Sequence, residues 1–228
     1  MEYILDSPAW HALNSGNKNL SFGNEEVRCF DREVSPFAAM RENTPANFRL
    51  LYDMLPHERG VLFMTPIEIN IPAFWEVLFL IKGIQMICDK PAKANASPSA
   101  LIPLTYEHVP QMIALTRLTN PGPFDTKTIE FGHYRGIFEG DKLVAMAGQR
   151  LHAYYFAEVS AVCTHPDHIG KGYARQLLLY QIDRIREASE IPYLHVKSDN
   201  DRAIKLYESL GFEKSRDMYF YVIRKVRV

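Results

Sequence analysis

Apolar residues in the second half of the chain change their spacing several times, and each change marks an element. The stretch "YRGIFEGDKLVAMAGQRL", from Tyr134, places apolar runs on either side of Glu139-Gly140-Asp141-Lys142, which predicts a β-hairpin with a short turn. "FAEVSAVCTHP" is rich in β-formers and closed by Pro166, so it reads as a further strand. From Gly172 the spacing becomes helical. Ala174, Leu177, Leu178, Ile182 and Ile185 share one stripe, while Asp183, Arg184, Arg186 and Glu187 fall mainly off it. "PYLHV" supplies another strand, "DNDRAIKLYESLGF" a helix stopped by Gly211, and "MYFYVIRKV" a last strand. Upstream, "LIPLTYEHVPQMIALTRLT" predicts a short strand and then a helix with Val109, Met112, Ile113 and Leu118 at helical spacing. Antiparallel hairpins joined to one βαβ crossover imply an α/β (α+β) fold: a mixed, mostly antiparallel sheet flanked by helices.

The first ninety or so residues are less regular. Turn-rich pieces such as "NSGNKN" alternate with apolar runs such as "GVLFM" and "EVLFLI", the pattern of a smaller α/β region. They contain no recognisable catalytic motif or internal repeat. The segment "DKPAKANASPSA", Asp89 to Ala100, is rich in Ala, Pro and Ser and reads as a linker, dividing the chain into residues 1–95 and 96–228.

Composition narrows the function classes. With 228 residues, 47% of them hydrophobic, the chain has ample material for a buried core. A net charge of -1 gives no global field to attract nucleic acid or an anionic membrane. The longest apolar segment, "IPAFWEVLFLIKGIQMIC", is interrupted by Glu76 and Lys82 and reads as buried strand or helix rather than a membrane span. "MEYILDSPAW" lacks the features of a secretory signal. Three widely spaced cysteines, Cys29, Cys88 and Cys163, suggest reduced thiols and a cytoplasmic protein. His165 and His168 flank Pro166-Asp167 in a loop without metal-site spacing, so no metal is expected.

The candidate chemistry lies in "HPDHIGKGYARQLL", His165 to Leu178. A glycine-rich bend that opens a helix is a ready anion site, because the first backbone N–H groups lack intrahelical partners and the helix dipole adds positive charge. Taken alone, the same residues also suit an ordinary surface turn. Followed by "LHVKSDNDRAIKLYESLGF", the pattern resembles the GCN5-related N-acetyltransferase (GNAT) superfamily, specifically its FR47-like branch, over about Ala100 to Val228.

That resemblance implies acetyl-CoA as cosubstrate and a direct transfer of its acetyl group to a primary amine. The acceptor is expected to be a small molecule or amino acid. The family's phosphate loop, Gln/Arg-x-x-Gly-x-Gly/Ala, falls on Ile169, Gly170, Lys171, Gly172, Tyr173 and Ala174, with Ile169 in place of the polar residue. Weaker cofactor affinity would follow, with Lys171 supplying compensating charge. Main-chain groups of Val162, Cys163 and Thr164 would pair with the pantetheine arm, the Val162 N–H would polarise the carbonyl, and Asn200 would contact the arm while capping its helix. Tyr207 matches the tyrosine that protonates the departing thiolate. Glu158, expected to share a face with Ser160 and Val162, is the candidate base, with His152, Tyr154 and Tyr155 as competitors. Cys163 is expected to pack as an apolar residue rather than serve as nucleophile. Relatives also suggest that residues 1–95 form an incomplete lobe of the same type that shapes the acceptor pocket, and a homodimer is compatible with the fold. Two alternatives stand: a catalytically silent acyl-CoA sensor, and an enzyme acting on a protein N-terminus or lysine.

Overall fold

Sixteen regular helices and strands order the described residues, 3–90 and 101–226, of the computed structural model. They are α1 (Pro8–Asn14), β1 (Ser21–Gly23), β2 (Val27–Phe30), β3 (Ala38–Met40), α2 (Pro45–Met54), β4 (Val61–Thr65), β5 (Trp75–Ile87), β6 (Ile102–Pro103), α3 (Val109–Thr119), β7 (Arg135–Glu139), β8 (Lys142–Ala153), β9 (Phe156–Thr164), α4 (Tyr173–Glu187), β10 (Ile191–Lys197), α5 (Asp201–Glu208) and β11 (Glu213–Lys225). The expected linker lies, from residue 91 to residue 100, outside the described residues.

The central sheet has eight strands in the order β4-β11-β5-β10-β9-β8-β7-β6, and β1-β2-β3 form a separate small sheet. The hairpin β7–β8 turns at Gly140-Asp141, where Gly140 takes φ +58 that a residue with a Cβ adopts only with strain. β9–α4–β10 is the expected crossover, the only parallel pair among the named strands of the described sheets. The ambiguous apolar run becomes β5, which pairs with β10 on one side and β11 on the other. The sheet therefore continues across the sequence boundary, since β4 and β5 come from before residue 95.

Packing follows the stripes, with differences. In α4 the buried face holds Leu177, Leu178, Ile182 and Ile185, and also Gln181, whose amide donates to the carbonyl of His133 at 2.7 Å and accepts from Gln149 at 3.1 Å. In α3 Leu115 is buried, and the expected core residue Leu118 is 54% exposed because its side chain lies off the face that meets the sheet. α5 ends as expected at Gly211, φ +93. Its N–H donates to the Glu208 carbonyl and that of Phe212 to the Tyr207 carbonyl, with the Tyr207 and Phe212 rings in contact at 5.9 Å. One core layer lies between the sheet and α4 and α5. The opposite layer joins Leu5, Ala9, Phe30 and Phe37 of the N-terminal part to Met146, Tyr193 and Phe220.

Candidate active site

Strand β9 is the backbone of the site. It pairs in parallel with β10 only at Phe156, Ala157 and Glu158. From there β10 stays with β5, so among the described residues the β9 edge beyond Glu158 carries no strand on that side. The divergence coincides with a β-bulge: Ser160 opposes Gly148 and Cys163 opposes Met146, leaving Ala161 and Val162 against Ala147 alone. Ala161 takes φ +53, unusual for a residue with a Cβ. The extra residue breaks the two-residue alternation. Val162 packs with Leu177 and Tyr173 on the α4 side, whereas Cys163 joins the opposite core. The expectation that Glu158 and Val162 share a face is thus corrected, because one inserted residue reverses every side chain beyond it.

At the end of β9 the chain enters the glycine loop. Gly170 and Gly172 take φ +90 and +79, and a Cβ built on either would meet nothing within 4 Å. The glycines are required by backbone conformation, and the space beside them is open for a ligand to approach. Gly172 is the N-cap of α4, so the helix presents its unpaired N–H groups to that space. Two buried polar atoms near the same helix start, Thr164 Oγ1 and Gln176 Oε1, have no hydrogen-bond partner among the described residues. An open strand edge, donors at a helix start and polar atoms awaiting partners suit an extended amide-bearing arm that ends in phosphates.

Lys171 does not offer its charge freely. Its Nζ lies 2.7 Å from Oε1 of Glu139, an oxygen that also accepts from the Tyr173 hydroxyl at 2.7 Å and lies 3.0 Å from Nδ1 of His168. The bonds from Lys171 and Tyr173 hold the Glu139 carboxyl down at about 2. Lys171, expected to compensate for Ile169, is here paired with a carboxylate. Ile169 is 48% exposed.

Tyr207, on α5, is buried in the core layer that also receives Val162. Burial pushes its phenol up to about 12, which keeps the proton on the oxygen. Asn200 caps α5, its Oδ1 accepting from the Ala203 N–H at 3.2 Å. Cys163 is buried, and desolvation raises its thiol to about 12, which disfavours the thiolate.

Glu158 is enclosed by partners. It is fully buried and takes two bonds from Arg150, Nε to Oε2 at 2.8 Å and Nη2 to Oε1 at 2.7 Å. Nδ1 of His195 lies 2.8 Å from Oε1, and the other ring nitrogen is 3.1 Å from Nε2 of Gln85, which also donates to the Leu5 carbonyl. Burial alone would raise its carboxyl, but Arg150 and His195 outweigh that and hold it at about 2. No sequence pattern marked Arg150, His195 or Gln85, because they converge from β8, β10 and β5. The competitors His152, Tyr154 and Tyr155 sit at the far tip of the β8–β9 hairpin, where the His152 N–H donates to Asn17 at 2.7 Å.

A narrow cleft, too tight to admit a water molecule, lies against the bulge, lined by the loop Pro121 to Phe124 together with Thr128, Tyr134, Ser160 and Ala161. Pro123, Phe124 and Thr128 also line a second cavity of about 270 Å³, whose other wall includes Arg32, Ser35 and Gly60 from the N-terminal part. Among the described residues no helix is long and apolar enough to cross a membrane, and no group of three or more His, Cys, Asp or Glu could hold a metal ion.

Residues 134–221 match the family model of FR47-like proteins. A crystal structure from Novosphingobium aromaticivorans, assigned to the GNAT acetyltransferase family, superposes with a TM-score of 0.91 at 32% identity, covering 99% of this chain and 100% of that one. The GCN5-related N-acetyltransferase from Kribbella flavida shares the fold, with a TM-score of 0.62 at 14% identity over 95% of both chains. Among curated proteins, N-alpha-acetyltransferase RimI of Mycobacterium tuberculosis is 38% identical over 85 residues, 36% of this chain and 52% of that protein. L-amino acid N-acyltransferase MnaT of Escherichia coli is 37% identical over 59 residues, 25% of this chain and 34% of that protein. The chain spans about half or less of the length of these curated relatives.

Proposed function

The chain belongs to the GNAT family of acetyltransferases, in its FR47-like branch, and from that premise we propose that it transfers the acetyl group of acetyl-CoA directly to a primary amine, with an α-amino nitrogen as the favoured acceptor. The observation that carries the reading is the parting of β9 from β10 at the Ala161 bulge, directly before a glycine loop that opens α4. The relatives named for N-alpha-acetyl and L-amino acid N-acyl transfer support an α-amino acceptor.

In this reading, acetyl-CoA supplies an activated thioester. The main chain of Val162, Cys163 and Thr164 pairs with the pantetheine amides, and the Val162 N–H polarises the carbonyl. The amides from Gly170 to Ala174 hold the pyrophosphate, and Asn200 borders the arm. The Tyr207 hydroxyl gives its proton to the thiolate as it departs; burial keeps the phenol protonated until then and also makes it a weaker acid. Glu158 holds Arg150 and His195 in the sheet rather than removing the amine proton, which leaves to solvent. The chamber walled by both parts of the chain receives the body of the acceptor, so residues 1–95 shape its specificity.

A silent acyl-CoA sensor is favoured by two observations, Ile169 in the polar position and Lys171 neutralised by Glu139. One pair of measurements decides. Acetyl-CoA and CoA, with ATP as a phosphate control, should raise the melting temperature, since ligand at a hundred times its dissociation constant stabilises by about 2.7 kcal/mol. Thiol release from acetyl-CoA is then followed with free amino acids, polyamines and short peptides. Binding without release to any amine supports the sensor, and no shift at millimolar ligand removes the acetyltransferase reading. Preference for peptides over free amino acids identifies a protein-directed enzyme.

A further inference from the structure

The narrow cleft against the bulge is lined by a tyrosine whose hydroxyl the described residues leave unsatisfied. Tyr134 is 3% exposed and lines this cleft, yet its hydroxyl has no hydrogen-bond partner among the described residues. Buried polar groups in native proteins are nearly always paired, and an unpaired hydroxyl costs stability, so one that persists at a cavity wall points to a ligand. The surroundings are arranged to hold the ring. The Phe124 ring stands perpendicular to it at 5.7 Å, and a Cβ on Gly148 would come within 2.3 Å of a ring carbon, so β8 has a glycine where the ring must pass.

The position is apt for an acceptor. Ser160 and Ala161 of the bulge form part of the same cleft, and Val162 beyond them faces the opposite, α4 side with Tyr207. An amine that enters here, for which the closed cleft must widen, therefore approaches the bulge from the face opposite the proposed acid. Burial raises the Tyr134 phenol, which makes it a neutral hydrogen-bonding group and unsuits it to act as a phenolate base.

Resting on the acetyltransferase reading, we propose that Tyr134 is the acceptor-binding residue: its hydroxyl oxygen accepts an N–H from the neutral primary amine and turns the nitrogen lone pair toward the bulge at Ala161. As the new C–N bond forms and the C–S bond breaks, the amine nitrogen releases one proton to solvent, the departing sulfur takes one from Tyr207, and the Tyr207 phenolate is reprotonated from solvent, so the turnover has no net proton change. Tyr134 exchanges no proton. Pro123, Phe124 and Thr128 line both the cleft and the 270 Å³ cavity, which would take the rest of a small amine or of a chain end.

The test is Tyr134→Phe, assayed by thiol release with the free amino acid, polyamine or short peptide that the wild type acetylates at lowest KM. Losing one hydrogen bond should raise the KM of that amine about three- to tenfold, with kcat and the acetyl-CoA dissociation constant changed by less than about twofold. Because the hydroxyl has no partner among the described residues, its removal should leave the melting temperature of the protein alone unchanged or higher, whereas a structural hydroxyl would lower it. An unchanged KM, or a lowered melting temperature with weaker acetyl-CoA binding, overturns the assignment while the transferase reading stands. A wild type that binds acetyl-CoA and acetylates none of the amines removes that reading and this inference with it.

Discussion

Tyr207 and Glu158 differ in what burial does to them. Tyr207 is buried without a neighbouring charge among the causes of its shift, so desolvation alone raises it and the phenol remains a proton donor. Tyr207→Phe should lower kcat by on the order of 10²-fold with acetyl-CoA binding retained, read by thiol release at saturating amine. Glu158 is buried between Arg150 and His195, and their charges and bonds outweigh desolvation. Its folded value, about 2, lies below the ordinary 4.5, so the stability it contributes is present above about 4.5 and lost as pH falls toward 2. Glu158→Gln should therefore cost on the order of 3 kcal/mol at pH 7, because it leaves a buried guanidinium without its counter-charge. Urea unfolding at neutral pH and near pH 3 checks this, since the gap from wild type must narrow on acidification. A gap independent of pH would mean that the carboxylate charge is not what the network uses.

At the scale of elements, one bulge and one loop define the site. Gly172 takes a left-handed conformation with open space beside it, so Gly172→Ala meets no clash and costs about 1 kcal/mol of backbone strain. The loop should relax and acetyl-CoA should bind roughly tenfold more weakly, measured by calorimetry. Ala161 shares the left-handed region, and replacing it with glycine should be neutral or stabilising by up to about 1 kcal/mol. Ala161→Val should both destabilise the protein and reduce turnover, because a branched Cβ resists positive φ at the point where β9 leaves β10. Melting temperature and thiol release on the two variants separate strain from loss of the site. The glycine loop, the helix it opens and the tyrosine of α5 were all legible as spacing and residue type. The bulge was not: "VSAVCT" reads as uninterrupted strand, and the extra residue shows only against β8.

For the whole molecule, the question is whether the second part stands alone. β5 lies between β10 and β11, pairing with β11 from Ile87 to Trp75, and Leu5, Phe30 and Phe37 belong to the same core as Met146 and Tyr193. Removing residues 1–95 would unpair two strands and uncover that core. The fragment should aggregate or bind a hydrophobic dye, and a soluble fragment with full activity would refute the proposed dependence of the site on the N-terminal part.

The chain by itself determined what local spacing encodes: the hairpin, the strand–loop–helix unit, the capped last helix and the family pattern that runs through them. Each is set by neighbours a few residues apart, where period and turn chemistry act directly. Only the tertiary structure decided who meets whom. It put β5 inside the sheet, turned Val162 away from Glu158, closed Arg150 and His195 on that carboxylate, paired Lys171 with Glu139, and left the Tyr134 hydroxyl without a partner among the described residues. These outcomes depend on strand pairing across tens of residues and on burial. Burial decides whether a carboxylate is a base or a structural anion, and spacing along a chain does not carry it.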